Sequence, residues 1–229
     1  MLGSFDFRFD GTRPRLPAGS RRLLAFLALR GRTVARETAA GVLWPEASEY
    51  HAGCCLRSAI ARLGRESRAA LEVTATDLRL APEVSVDLAE SRRLAARLLD
   101  PRCPSGETEL GTAARGALSL DVLPDWYDEW ITSEQEAWHQ LRLHALETLA
   151  DQLAEVGRHA DAISAALAAV HAEPLRESAR RALVRIHLAE GNQSEARREY
   201  ERFRILLRTE LGVEPTSLLT SLVHGRTRA

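Results

Sequence analysis

Residues 54–66 read CCLRSAIARLGRE. If the stretch is helical, each residue advances by about 100°, and Leu56, Ala59, Ile60 and Leu63 fall on one apolar arc. Such an arc has to be buried. The opposite face carries His51, Arg57, Ser58, Ala61, Arg62 and Arg65 and no acid, with Glu66 near its edge. Arginine binds phosphate oxygens or, through its planar fork, the edge of guanine. Ser58 and Ala61 are small enough to let a helix approach the floor of a groove. One dry face and one basic, low-relief face suit a helix that reads DNA. A solvated amphipathic helix shares that wheel, so the flanking sequence has to choose.

The flanks choose a winged helix. LGSFDFRFDG (2–11) alternates Phe5, Phe7 and Phe9 with polar residues, the period of a strand, and Asp10-Gly11 marks a turn. SRRLLAFLALRG (20–31) reads as a first helix, with Ser20 as N-cap and Gly31 as its stop. VARETAAGVLWP (34–45) is a second helix ended by Pro45, and Ser48 caps a third running to about Ser67. LEVTATDLRLAP (71–82) then gives two short strands about Thr76-Asp77. Strands, three helices and a hairpin are the order of a winged helix with an N-terminal sheet. The second and third helices make the helix-turn-helix and the hairpin makes the wing. Arg79 in the wing is a candidate minor-groove or phosphate contact. Ser20 and Arg21, at the start of the first helix, and Arg36, at the start of the second, are candidate phosphate contacts.

Beyond Val86 the strand signals stop. SVDLAESRRLAARLLD (85–100) is helical, ETELGTAARGALSLD (107–121) reads as a short helix, and a long one runs through LRLHALETLADQLAEVG (141–157). LAEVGRHADA (153–162) and LAEGNQSEA (188–196) resemble each other. Gly157 and Gly191, Asp161 and Glu195, and Ala162 and Ala196 are each 34 residues apart, the period of tetratricopeptide helix pairs. Trp126, Tyr127, Trp130 and Trp138 read as a packed seam between helical layers. The expected fold is therefore mainly α. A winged helix-turn-helix over residues 1–86 precedes an all-α, tetratricopeptide-like domain over 87–229.

Charge divides along the same line. Residues 1–80 hold 13 arginines against 8 acids, and the remainder holds 18 against 24. A basic module is joined to an acidic one. There is no lysine, which excludes a phosphate-loop NTPase and a lysine Schiff base. No apolar run reaches the roughly 18 residues of a membrane span, and the N-terminus does not read as a signal peptide, so a cytoplasmic protein is expected. Cys54 and Cys55 are adjacent and diverge on a helix, and Cys103 lies far along the chain. Neither a metal site nor a disulfide framework is expected. The histidines have no zinc spacing and no catalytic constellation is present, so neither an enzyme nor a cofactor is expected.

The chain resembles the SARP-type antibiotic-pathway regulators of actinobacteria over nearly its whole length. RRLLAFLALRG, LWPEAS, LRSAIARL and LRLAP are similar to their OmpR-like winged helix. LPDWYDEW, LRLHALETLA and the run from Ala172 to Thr216, ending YERFRILLRTELGVEPT, are similar to the bacterial transcriptional activator domain. The resemblance implies an activator that binds direct repeats in promoter DNA as a homodimer, contacts RNA polymerase and controls a biosynthetic gene cluster. It carries base readout onto Arg57, Ser58 and Arg62. One departure is Gly53-Cys54-Cys55, where the family leads one to expect polar residues. The alternative class is a helical-repeat scaffold that binds a protein, its winged helix no longer used for DNA.

Overall fold

A computed structural model describes residues 1–102, 106 and 110–225, and Cys103 lies outside them. The described chain is mainly helical with one small antiparallel sheet. It divides into two compact units. The first comprises Met1–Glu90 and Asp121–Trp138, the second Ser91–Leu120 and His139–Ala229.

In the first unit, α1 (Ala18–Arg30) buries Leu23, Leu24, Phe26 and Leu27 and ends at Gly31. Gly31 takes a left-handed φ of 58° and returns its N–H to Leu27 O, the cap for which glycine is suited. β1 (Val34–Ala35) leads into α2 (Arg36–Leu43), which stops at Trp44, before Pro45. α3 (Glu49–Ala61) starts at Ser48, whose hydroxyl accepts from His51 N at 3.4 Å. α4 (Arg65–Ala69) precedes the hairpin of β2 (Leu71–Val73) and β3 (Asp77–Leu80). The strands lie in the order β1-β3-β2, with Val34 opposite Leu78 and Glu72 opposite Arg79. Leu23, Phe26, Leu27, Val34, Leu43, Leu56 and Leu78 share one core, so helices and hairpin are held by the same side chains.

Three expectations for the N-terminal elements need correction. The N-terminal alternation forms no strand pair. Its only pairings among the described residues are isolated bridges, Phe9 to Thr12 and Leu2 to Val122, and Phe5 and Phe7 pack as lone side chains on the helical core. The third helix does not reach Ser67, because the chain breaks at Leu63-Gly64 and restarts as α4. Ser20 does not cap α1, which begins two residues earlier.

The first unit also takes in Asp121–Trp138. Val122 bridges Leu2, Leu123 donates to Met1 O at 3.0 Å, and Arg22 pairs with Asp128 at 2.6 Å. Trp126 lies 5.9 Å from Phe5, and Trp130 meets Phe26 edge-on at 5.5 Å. Trp130 therefore packs on the winged-helix core, and Trp126 stacks on its periphery against Phe5 and Trp130, so neither lies in a seam between helical layers. Tyr127 is 90% exposed.

The second unit contains α6 (Thr112–Leu118), α8 (His159–Ala172), α9 (Glu177–Ala189), α10 (Gln193–Leu211) and α11 (Ser217–His224). It also holds the greater parts of α5 (Asp87–Leu99) and α7 (Glu129–Glu155). The 34-residue repeat is geometric as well as sequential. Gly157 and Gly191 have φ of 77° and 89°. Arg158 N donates to Leu153 O and Asn192 N to His187 O, at equivalent positions. Ala162 and Ala196, in the first turns of the helices that follow, are fully buried. Two ion pairs fix α9 against its neighbours: Arg180–Glu199 at 2.8 Å and Arg185–Asp151 at 2.6 Å.

Candidate nucleic-acid interface

α3 is seated on α1 at close range. A Cβ at Gly19 would come to 3.6 Å from Ala59 Cβ and 3.8 Å from the Trp44 ring. Next to it Ser20 is buried and donates its hydroxyl to Ala59 O at 2.7 Å. Ser20 is thus withdrawn from any phosphate, and its role is to fix α3. The residues of α3 and its end that face inward are Ala52, Leu56, Ala59 and Leu63, all buried, with Ile60 partly so.

That seating sends Tyr50, Cys54, Arg57 and Ala61 along the opposite row of α3, spaced four, three and four residues apart. Tyr50 is 74% exposed, Arg57 and Ala61 are exposed, and Cys54 and the adjacent Ser58 are half-buried. The sequence reading missed Tyr50 and Cys54. Centring the wheel on Ala52 as well as Leu56 and Ala59 places both on the outward row, so the signal was present.

The other candidates occupy several places. His51 is exposed beside the row, with its Nδ1 2.9 Å from Ser48 Oγ. Arg62 is exposed at the C-cap of α3, with near-helical backbone. Arg65 is exposed but opens α4, so it does not continue the α3 row. Arg36 is tied to the hairpin, its N–H donating to Thr76 O at 2.8 Å and its Nη1 to Thr74 O at 3.1 Å. Arg36, Tyr50, Gly53, Arg57 and hairpin-tip Ala75 line one groove of about 720 Å³, with Trp44 and Leu56 also lining it and Glu37 and Glu49 present. Arg21 is exposed, but its guanidinium stacks 5.6 Å from Phe5 and 5.8 Å from Trp126. Arg79 projects from β3 and is bound to its cross-strand neighbour Glu72 at 2.5 Å.

The arginines around α3 differ in their pairing from many others of the chain, although Arg8, Arg13, Arg22 and Arg79 of the same unit are ion-paired. Arg57, Arg62, Arg65 and Arg36 have no carboxylate partner among the described residues. In the second unit Arg158, Arg176, Arg180, Arg185, Arg198, Arg202 and Arg204 are each ion-paired. Positive potential therefore survives on α3 and its end, where a polyanion can use it. Among the described residues no group of three or more His, Cys, Asp or Glu is placed to hold a metal, and no helix is long and apolar enough to cross a membrane.

Residues 86–225 match the family model of the bacterial transcriptional activator domain. The regulatory protein AfsR of Streptomyces coelicolor is 32% identical over 209 residues, which is 88% of this chain and 21% of AfsR. AfsR of Streptomyces griseus is 32% identical over 222 residues, 91% of this chain and 22% of that protein. The chain thus spans about a fifth of the length of these curated relatives. Among solved structures, Mycobacterium tuberculosis EmbR, in complex with a low-affinity phosphopeptide, superposes with a TM-score of 0.74 at 23% identity. It covers 97% of this chain and 62% of EmbR. That likeness concerns the fold, a winged helix with a helical domain.

Proposed function

We propose that this chain, which belongs to the family of the bacterial transcriptional activator domain, activates transcription by binding direct repeats in promoter DNA and contacting RNA polymerase. Residues 1–86 bind the DNA and residues 87–229 carry activation, with Asp121–Trp138 buttressing the DNA-binding part. α3 enters the major groove. Arg57, Ser58 and Arg62 read base edges, Ala61 lets the helix lie close, and His51, Arg65, Arg36, Arg21 and the wing's Arg79 serve the backbone. Two protomers sit side by side on the repeats, in the cytoplasm, at the promoters of a biosynthetic gene cluster. The observation that carries this reading is that Arg57 on α3 and Arg62 at its C-cap are exposed without a carboxylate partner among the described residues, while the other face of the helix is locked into the core.

Phosphate contacts release condensed counterions, so affinity falls steeply with salt, by about 0.9 in log–log slope for each phosphate neutralised. Arg79 contributes least, because it must first leave Glu72. Exposed pairs of that kind are worth at most about 1 kcal/mol. The test is retardation of sheared, GC-rich actinobacterial DNA at low and at physiological salt, followed by transcription in vitro from a retained promoter with purified polymerase. A shift that weakens with salt, and a rise in transcript, support the reading. No shift at either salt supports the helical-repeat scaffold instead.

A further inference from the structure

Cys54 lies on the outward row of α3 and holds the guanidinium of Arg57. Its Sγ accepts from Arg57 Nη2 at 3.0 Å. The chain contains its own comparison for this geometry. At the same spacing, with the acceptor three residues before the arginine, Glu195 pairs with Arg198, Glu199 with Arg202 and Glu201 with Arg204. Each of those glutamates holds its arginine and sets a negative charge against it, Glu199 being shared with Arg180. At Arg57 the place of the glutamate is taken by a thiol, which is a weak acceptor without charge.

We infer that Cys54 is a positioning residue for Arg57: it aims the guanidinium along the reading face while leaving its positive charge for DNA. This rests on the proposal that α3 reads DNA. A free arginine loses much rotamer freedom when it is fixed on a base, and pre-orientation removes part of that loss. The thiol bond is weak enough to give way to the stronger acceptors of guanine. A glutamate at position 54 would compete with the base instead. Serine keeps an uncharged acceptor at about the same place, whereas alanine keeps none.

The test is selection from a pool of random-sequence duplexes with the full chain, followed by affinities on the duplex that the wild type enriches. Arg57→Ala marks the base-pair position that Arg57 reads. Cys54→Ala should relax preference at that same position and weaken binding roughly two- to tenfold. Its melting temperature should not fall, because alanine is the better helix former. Cys54→Ser should retain the wild-type motif, and Cys54→Glu should bind more weakly than Cys54→Ala. The inference is overturned if Cys54→Ala keeps the wild-type motif and affinity, if serine is as damaging as alanine, or if Cys54→Ala alters a different position from Arg57→Ala. A wild-type protein that enriches no motif overturns DNA reading itself, a distinct result.

Discussion

Replacing Trp130 should loosen the first unit without touching α3. The ring packs on the winged-helix core, 5.5 Å from Phe26 and 6.3 Å from Trp126, both edge-on. Truncating a fully buried tryptophan costs about 3–5 kcal/mol. Trp130 is only half-buried, which reduces the expected loss to about 2–3 kcal/mol, edge-to-face contacts included. Against this, its Nε1 is shielded and meets no partner among the described residues. Removing that N–H returns about 1 kcal/mol. The net for Trp130→Ala is then about 1–2 kcal/mol, or a melting temperature lowered by roughly 4–9 °C for a unit of this size. Trp130→Phe keeps an edge contact and discards the N–H, so it should lie within about 0.5 kcal/mol of the wild type. Scanning calorimetry is the suitable assay, because two compact units need not melt in one step. The reasoning is refuted if alanine leaves every transition in place, or if phenylalanine is as harmful as alanine.

Other outcomes follow from the same contacts. Gly53→Ala should raise the melting temperature, by up to about 1 kcal/mol of added helix stability, since its Cβ would meet only Arg57 Nη1, at 3.5 Å. Glu199→Ala leaves the guanidinium of Arg180, itself largely buried, without its carboxylate. It should cost about 3 kcal/mol in urea unfolding of the helical unit, because an unpaired buried charge is worse than no pair. Gly191→Ala puts a Cβ on a residue with φ of 89°. That should cost about 1–2 kcal/mol, measured the same way.

Much of this architecture is local and therefore legible in the sequence. The α3 wheel exposes its buried row through Leu56, Ala59 and Leu63. The repeat at 34 residues is announced by Gly157 and Gly191, whose positive φ is the physical reason glycine stands there. What was not legible is long-range. Phe5 and Phe7 alternate as a strand does, but alternation reports only that one side is buried, and here a helical core buries it. β1 has two residues, too few to show a period. The winged-helix core takes Trp130, and Phe5 takes Trp126, from about a hundred residues downstream, pairings that no local pattern encodes. Ser20 looked like a cap because the sequence does not show that α1 starts at Ala18 and turns the hydroxyl onto Ala59 O. Arg79 looked free until the strand register set Glu72 opposite it.

The central claim is that the outward face of α3 meets DNA through its unneutralised arginines. The most direct measurement is the affinity of the Arg57→Ala, Arg62→Ala double variant for a duplex that the wild type selects, with circular dichroism of both proteins alongside. Both side chains are exposed, so the spectrum should not change. Two lost base contacts should weaken binding by roughly 30-fold or more. Affinity retained within about twofold, with the fold intact, would contradict the claim.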